Sequence, residues 1–154
     1  MVSVKRLKET ELLCDLTTAE LEAISQIFEV RTYETGAIIF NEGDESTEIF
    51  IVDEGQAECV IEPIPNQPLV VDTMTKNQLF GWSAMVAPHR RTATIKATKK
   101  TRVLVAGASD LRRICQVHPH IYDEIMEKIV LTVDDRLGKT RKALVQAFYE
   151  CQGC

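Results

Sequence analysis

One stretch of the chain, Phe80-Gly81-Trp82-Ser83-Ala84-Met85-Val86-Ala87-Pro88-His89-Arg90-Arg91-Thr92-Ala93-Thr94-Ile95, carries the residue types with which an anion is bound. A strand ends at a glycine, a short helical turn follows, and an arginine doublet opens the next strand. Gly81 permits close approach of the backbone to a ligand, and the turn after it presents unpaired N–H groups at the positive end of a helix dipole. Arg91 can then close on the anion with two parallel charge-assisted hydrogen bonds, the geometry that suits a phosphate. Thr92 adds a hydroxyl, and Arg90 reads as a solvated charge.

Other chemistry is poorly supported. The chain has no nucleophile elbow, no P-loop, no His and Cys at catalytic spacing and no metal-ligand cluster. Asp134 and Asp135 are neighbours on an expected helix and so do not face one substrate. No enzymatic activity is expected. Of the five cysteines, Cys14, Cys59 and Cys115 sit among apolar neighbours and read as small core residues. Cys151 and Cys154 form a C-x-x-C pair without a second pair at zinc spacing, and read as an exposed tail. His89, His118 and His120 are candidates for a metal or haem ligand, but His118-Pro119-His120 also marks a helix start, where exposed histidines are common.

The elements that must position the anion site follow from patterning. Thr17-Thr18-Ala19-Glu20 is a capping box, and Leu21, Ile24, Ile27 and Phe28 continue it as one apolar helical stripe. From Phe28 to Ala106 the pattern becomes short β-branched and aromatic runs, broken by turn residues about every ten positions. The breaks include Thr35-Gly36, Glu42-Gly43-Asp44, Glu54-Gly55, the proline-rich segment from Pro63 to Pro68, Lys76-Asn77 and Lys99-Lys100. Seven or eight strands are predicted, enough for a rolled antiparallel sheet. Helical periodicity returns from Ser109 to Val117 and again from Pro119, a residue suited to a first helical turn. Met126, Val130, Val133, Leu137, Thr140, Leu144 and Ala147 form a heptad seam on that last segment, with Ile121, Ile125 and Ile129 on an adjacent stripe. The helix should pack on its own roll at one end and on a second copy at the other, giving a homodimer. Gly138 weakens helix propensity in its middle by about 1 kcal/mol.

The formal net charge is −5, from 18 Lys and Arg against 23 Asp and Glu, so no global field draws the chain to nucleic acid or anionic lipid. No apolar run approaches a membrane span, and the first residues lack the form of a secretory signal, so a cytoplasmic location is expected.

The chain resembles the cyclic-nucleotide-binding domain family of catabolite activator proteins, cyclic-nucleotide-dependent kinase regulatory subunits and gated channels. The family's phosphate-binding cassette, F-G-E-L-A-L followed by R-T-A-T, is matched at Phe80, Gly81, Ala84, Arg91, Thr92, Ala93 and Thr94. Leu16-Thr17, Glu20-Leu21, Tyr33 to Gly36, Phe40 to Asp44 and Ile51 to Gly55 recur in the expected order, so the likeness covers about residues 10 to 150. It implies a mainly β fold: an antiparallel double-stranded β-helix, or β-roll, with an N-terminal helical part (10–28), the roll (28–106), a short cassette helix, and C-terminal helices (107–150) ending in a long dimerisation helix. It implies one domain over residues 1–154 that binds cyclic AMP or cyclic GMP, requires no other cofactor, and passes a signal through the long helix to an effector protein. It also implies Gly81, Trp82, Ser83, Ala84, Arg91, Thr92 and Ala93 as ligand contacts, with Arg136 on the long helix over the base. With the chain ending at Cys154, no helix-turn-helix domain is expected.

Trp82 departs from the pattern, standing where the family's ribose-binding glutamate is expected. An indole N–H donates and cannot accept from a hydroxyl, and a lost charged hydrogen bond is worth about 1.5 to 3 kcal/mol. Three readings of this departure stay open. Ser83 accepts the hydroxyl, Trp82 stacks on a base, or Trp82 fills the pocket as an apolar residue. In the last case the fold serves as a protein-interaction scaffold or takes a different ligand such as haem.

Overall fold

The computed structural model describes residues 1–152. Two four-stranded antiparallel sheets form a β-roll, with helices against one side. The strands are β1 (Phe28–Tyr33), β2 (Ile38–Phe40), β3 (Glu48–Glu54), β4 (Ala57–Ile64), β5 (Gln67–Met74), β6 (Leu79–Phe80), β7 (Thr94–Ala97) and β8 (Thr101–Gly107). One sheet runs β1-β8-β3-β6 and the other β2-β7-β4-β5.

The alternation of side chains across β3 and β8 organises the core. Ile49, Ile51, Leu104 and Ala106 point toward the helices, while Phe50, Val52, Val103 and Val105 point into the roll. Both faces of these central strands are therefore buried, so their residues form nearly continuous apolar runs.

The helices are α1 (Val4–Lys8), α2 (Thr18–Ser25), α3 (Ala108–Val117) and α4 (Pro119–Gln152). The capping box at α2 forms as its sequence predicts: Glu20 N–H donates to the Thr17 hydroxyl at 3.2 Å, and Thr17 N–H donates to the Glu20 carboxylate at 2.9 Å. The helical part begins earlier than residue 10. A Ser3 side chain caps α1, Val2 and Leu7 are buried, and Arg6 reaches Asp53 on β3 at 2.5 Å. The proline-rich segment is only partly a turn. Pro65 and Asn66 turn the chain, with Asn66 at φ +63°, while Pro63, Ile64, Gln67 and Pro68 belong to the paired strands β4 and β5.

Helix α4 continues unbroken through Gly138. Ile121, Ile125 and Ile129 are buried against the helix-side core, as their stripe suggests. The heptad seam divides differently from its expectation. Met126 packs on the chain's own core, and Val133, Leu137 and Thr140 face a cavity of the same chain. Val133 and Leu137 are exposed there, as are Val130, Leu144, Val145, Phe148 and Tyr149 along the helix. Cys151 is exposed near the helix end, and Cys154 lies outside the described residues.

Candidate functional site: a glycine turn against an apolar cavity

Arg91 is positioned by backbone first. Residues 89–91 run against residues 43–46: Gly43 N–H donates to the Arg91 carbonyl at 2.8 Å, Arg91 N–H to the Asp44 carbonyl at 2.9 Å, and Ser46 N–H to the His89 carbonyl at 2.8 Å. This short ladder turns the Arg91 side chain inward, where the residue is 5% exposed.

The guanidinium lies 3.9 Å over the centroid of Phe40 and 5.6 Å from that of Phe50. Phe50 in turn stacks on Phe80 at 4.9 Å. Nη1 donates to the Gly81 carbonyl at 2.9 Å and Nη2 to the Glu48 carbonyl at 2.7 Å, while Nε is buried without a hydrogen-bond partner. Burial pulls the Arg91 pKa down to about 10, against the attraction of Glu48 and Asp44. The group therefore remains a cation at neutral pH. Both nearby carboxylates are engaged elsewhere. Glu48 makes a two-pronged bond to Arg31 at 3.0 and 2.8 Å, and Asp44 accepts from Asn41 N–H at 2.9 Å. The Arg31 bond, working against burial, holds the Glu48 carboxyl below its ordinary range. The result is a buried positive charge held by carbonyl dipoles and ring faces.

Gly81 stands beside it at φ +78°, a conformation that side chains rarely adopt. A Cβ there would lie 2.9 Å from Arg91 Nη1 and 2.9 Å from Phe50 Cδ2. A four-residue 3-10 turn, Trp82–Met85, follows. Ala84 is fully buried behind this turn and does not line the cavity. Its carbonyl accepts from Arg112 of α3, which ties the turn to the helical layer.

Gly81, Trp82, Ser83, Arg91, Thr92, Ala93 and Arg136 are brought together around one cavity of about 250 Å³. Residues that sequence reasoning missed complete its wall: Phe40, Cys59, Ile61 and Val71 from the roll, and Leu137 and Thr140 from α4. Burial pushes the Cys59 thiol up to about 11, so it stays protonated and is a wall rather than a nucleophile.

Arg136 reaches the cavity, but its guanidinium is already engaged. Nε donates to Asp72 of β5 at 2.6 Å, Nη2 donates to the Leu79 carbonyl at 3.2 Å, and the group lies 4.6 Å from the centroid of the Trp82 ring. Lys139, one turn on, reaches the other Asp72 oxygen at 3.2 Å. Burial works against the Asp72 charge, yet Arg136 and Lys139 hold its carboxyl below the ordinary value. A lone acid in the run Leu69-Val70-Val71-Asp72 was the available signal for this tie. Trp82 packs partly on the helix-side core and lays its ring against the Arg136 guanidinium.

The three histidines are dispersed. His89 lies beside the Ser83 carbonyl, His118 ends α3, and His120 bonds Glu20 at 2.8 Å and approaches Glu124 at 3.4 Å. Among the described residues, no group of three or more His, Cys, Asp or Glu side chains is arranged to hold a metal ion, and no helix is long and apolar enough to cross a membrane.

The family model described as "Cyclic nucleotide-binding domain" matches residues 30–118, which contain all eight candidate site residues except Arg136. The cAMP-dependent protein kinase regulatory subunit of Schizosaccharomyces pombe is 31% identical over 65% of this chain and 23% of its own length. The chain spans less than a third of the length of the first curated relatives it matches. Among solved structures, cAMP-bound PfPKA-R (141-441) superposes with a TM-score of 0.71 at 26% identity, covering 88% of this chain and 45% of that one. A cyclic nucleotide-binding domain from Methylobacillus flagellatus superposes with a TM-score of 0.81 at 13% identity, covering 94% and 83%, and supports the fold alone.

Proposed function

The chain belongs to the cyclic nucleotide-binding domain family, and on that premise we propose that it is a regulatory module that binds the phosphate of a cyclic nucleotide, cyclic AMP or cyclic GMP, between Gly81 and Arg91. Its role is ligand binding, with no catalytic step. The observation that carries this reading is the Arg91 guanidinium: buried, cationic, without a carboxylate of its own, and with Nε unpartnered. A buried charge of this kind is costly unless paired. A phosphate entering the cavity supplies the missing countercharge. The likeness to cAMP-bound PfPKA-R supports a cyclic nucleotide as the ligand.

Passage of the signal follows from Trp82. It belongs to the turn beside the phosphate site and touches Arg136 of α4, which is fixed to Asp72 of β5. A shift of the turn on binding is therefore passed to the helix through one ring contact. The exposed apolar residues beyond Lys139 suit a second copy of the chain, and the resulting homodimer presents the surface read by an effector protein.

Calorimetric titration with cyclic AMP and cyclic GMP tests the proposal. Arg91→Ala should weaken binding of whichever nucleotide binds by about tenfold to over a hundredfold, the worth of a charge-assisted hydrogen bond. Unchanged affinity in the variant would place the phosphate elsewhere.

A further inference from the structure

The polar groups around the cavity are unevenly divided between donors and acceptors. Arg91, Arg136 and the Trp82 indole donate and do not accept. The carbonyl acceptors near the turn are already occupied. The Gly81 carbonyl takes Arg91 Nη1 at 2.9 Å and Ala84 N–H at 3.4 Å, and the Ser83 carbonyl takes Val86 N–H at 3.2 Å. The Ser83 hydroxyl is 2.8 Å from that of Ser46 and 3.5 Å from Arg91 Nη1. No carboxylate lines the cavity among the described residues. Glu48 is held by Arg31, and Asp72 by Arg136 and Lys139. The remaining hydroxyls are neutral: Thr92 at the exposed rim and Thr140 across on α4.

A hydroxyl carried into this space beside the phosphate thus meets donors, neutral hydroxyls and apolar walls. It exchanges water for neutral partners of similar worth and gains no charged acceptor. We infer that Trp82 sets the specificity of the site: the cavity takes a cyclic phosphate whose buried body carries no obligatory donor, and it does not distinguish a ribose from a 2'-deoxyribose. This inference rests on the reading of Gly81 and Arg91 as the phosphate site.

Calorimetric titration of the whole chain with cyclic AMP and with 2'-deoxy cyclic AMP tests it. The two nucleotides should bind within about threefold of each other, because no charged hydrogen bond to the hydroxyl is lost. Trp82→Glu, with its fold checked by circular dichroism, should introduce the missing acceptor and raise the preference for the ribose form by about tenfold or more. A tenfold preference for the ribose form in the unaltered chain overturns the inference and leaves the phosphate site standing. No change of preference in a folded Trp82→Glu variant overturns the assignment to Trp82. Failure of both nucleotides to bind the unaltered chain overturns the phosphate reading and this inference with it. The comparison on the unaltered chain decides the main question even where the variant does not fold.

Discussion

Gly81 and Arg91 are fitted to one another at the scale of single atoms. A methyl group at position 81 would take a conformation disfavoured for side chains and press on Arg91 Nη1 and Phe50 at 2.9 Å. Gly81→Ala should therefore cost about 1 to 3 kcal/mol of stability, read by urea unfolding, and should weaken phosphate binding by displacing the guanidinium. The ordinary stability of a neutral surface substitution would contradict this. The two residues were legible in the sequence because glycine, turn and R-T-A-T coincide within a dozen positions. Asp72 was not, because its partner Arg136 lies 64 residues away and nothing local distinguishes a strand acid facing solvent from one facing a helix. Ala84 matched the family pattern for a packing reason: it is the buried back of the turn.

Among the elements, α4 binds the layers together, and its first turn does so in a pH-dependent way. His120 is raised above its ordinary value, first because its ring bonds the Glu20 carboxylate and then through charge attraction to the same group. Its contribution is fully present below about 6.5 and is lost as pH rises through the raised value. The Glu20 carboxyl is opposed by burial, but Thr17 and His120 hold it below its ordinary 4.5, so its contribution is present above that value and lost as pH falls through the lower one. The α2–α4 tie is thus complete between about 4.5 and 6.5. Melting temperature should decline on the alkaline side of this window, and His120→Gln should flatten that decline. An unaltered profile in the variant would assign the dependence to another group. The capping box made α2 readable from four residues, whereas α1 offered no comparable stripe: VKRLK holds through a Ser3 cap and a distant carboxylate on β3. The heptad seam of α4 gave its period but not its partner. A 3.5-residue spacing marks an apolar face, and Val133, Leu137 and Thr140 turn that face to the cavity of their own chain with Val133 and Leu137 still exposed.

For the whole molecule, two apolar cores share the strands β3 and β8, one under the helices and one inside the roll. The strand runs predicted a rolled antiparallel sheet, but neither the two cores nor the pairing order was legible, because both lie in long-range register that single runs do not encode. Beyond the cavity, α4 leaves Leu144 at 40%, Val145 at 54% and Phe148 at 59% exposure, an apolar surface with room for a second copy. The unaltered chain should sediment as a dimer, and Leu144→Glu combined with Phe148→Glu should give a folded monomer. A monomeric unaltered chain would overturn the dimer, while its ligand titration would be unaffected.

Trp82 is the sole tryptophan of the chain. Its indole lies against a guanidinium of α4 and on the wall of the cavity, so emission excited near the red edge of protein absorption comes from one known place. Any ligand that enters, and any movement of α4 away from β5, changes the polarity and the quenching cation around that single ring. The molecule therefore carries its own fluorophore where α4 meets the wall of the cavity. The rate at which the helix follows the ligand can be measured by stopped flow without attaching a dye, and retention of the same emission on saturation would mean that ring and helix stay together when the site fills.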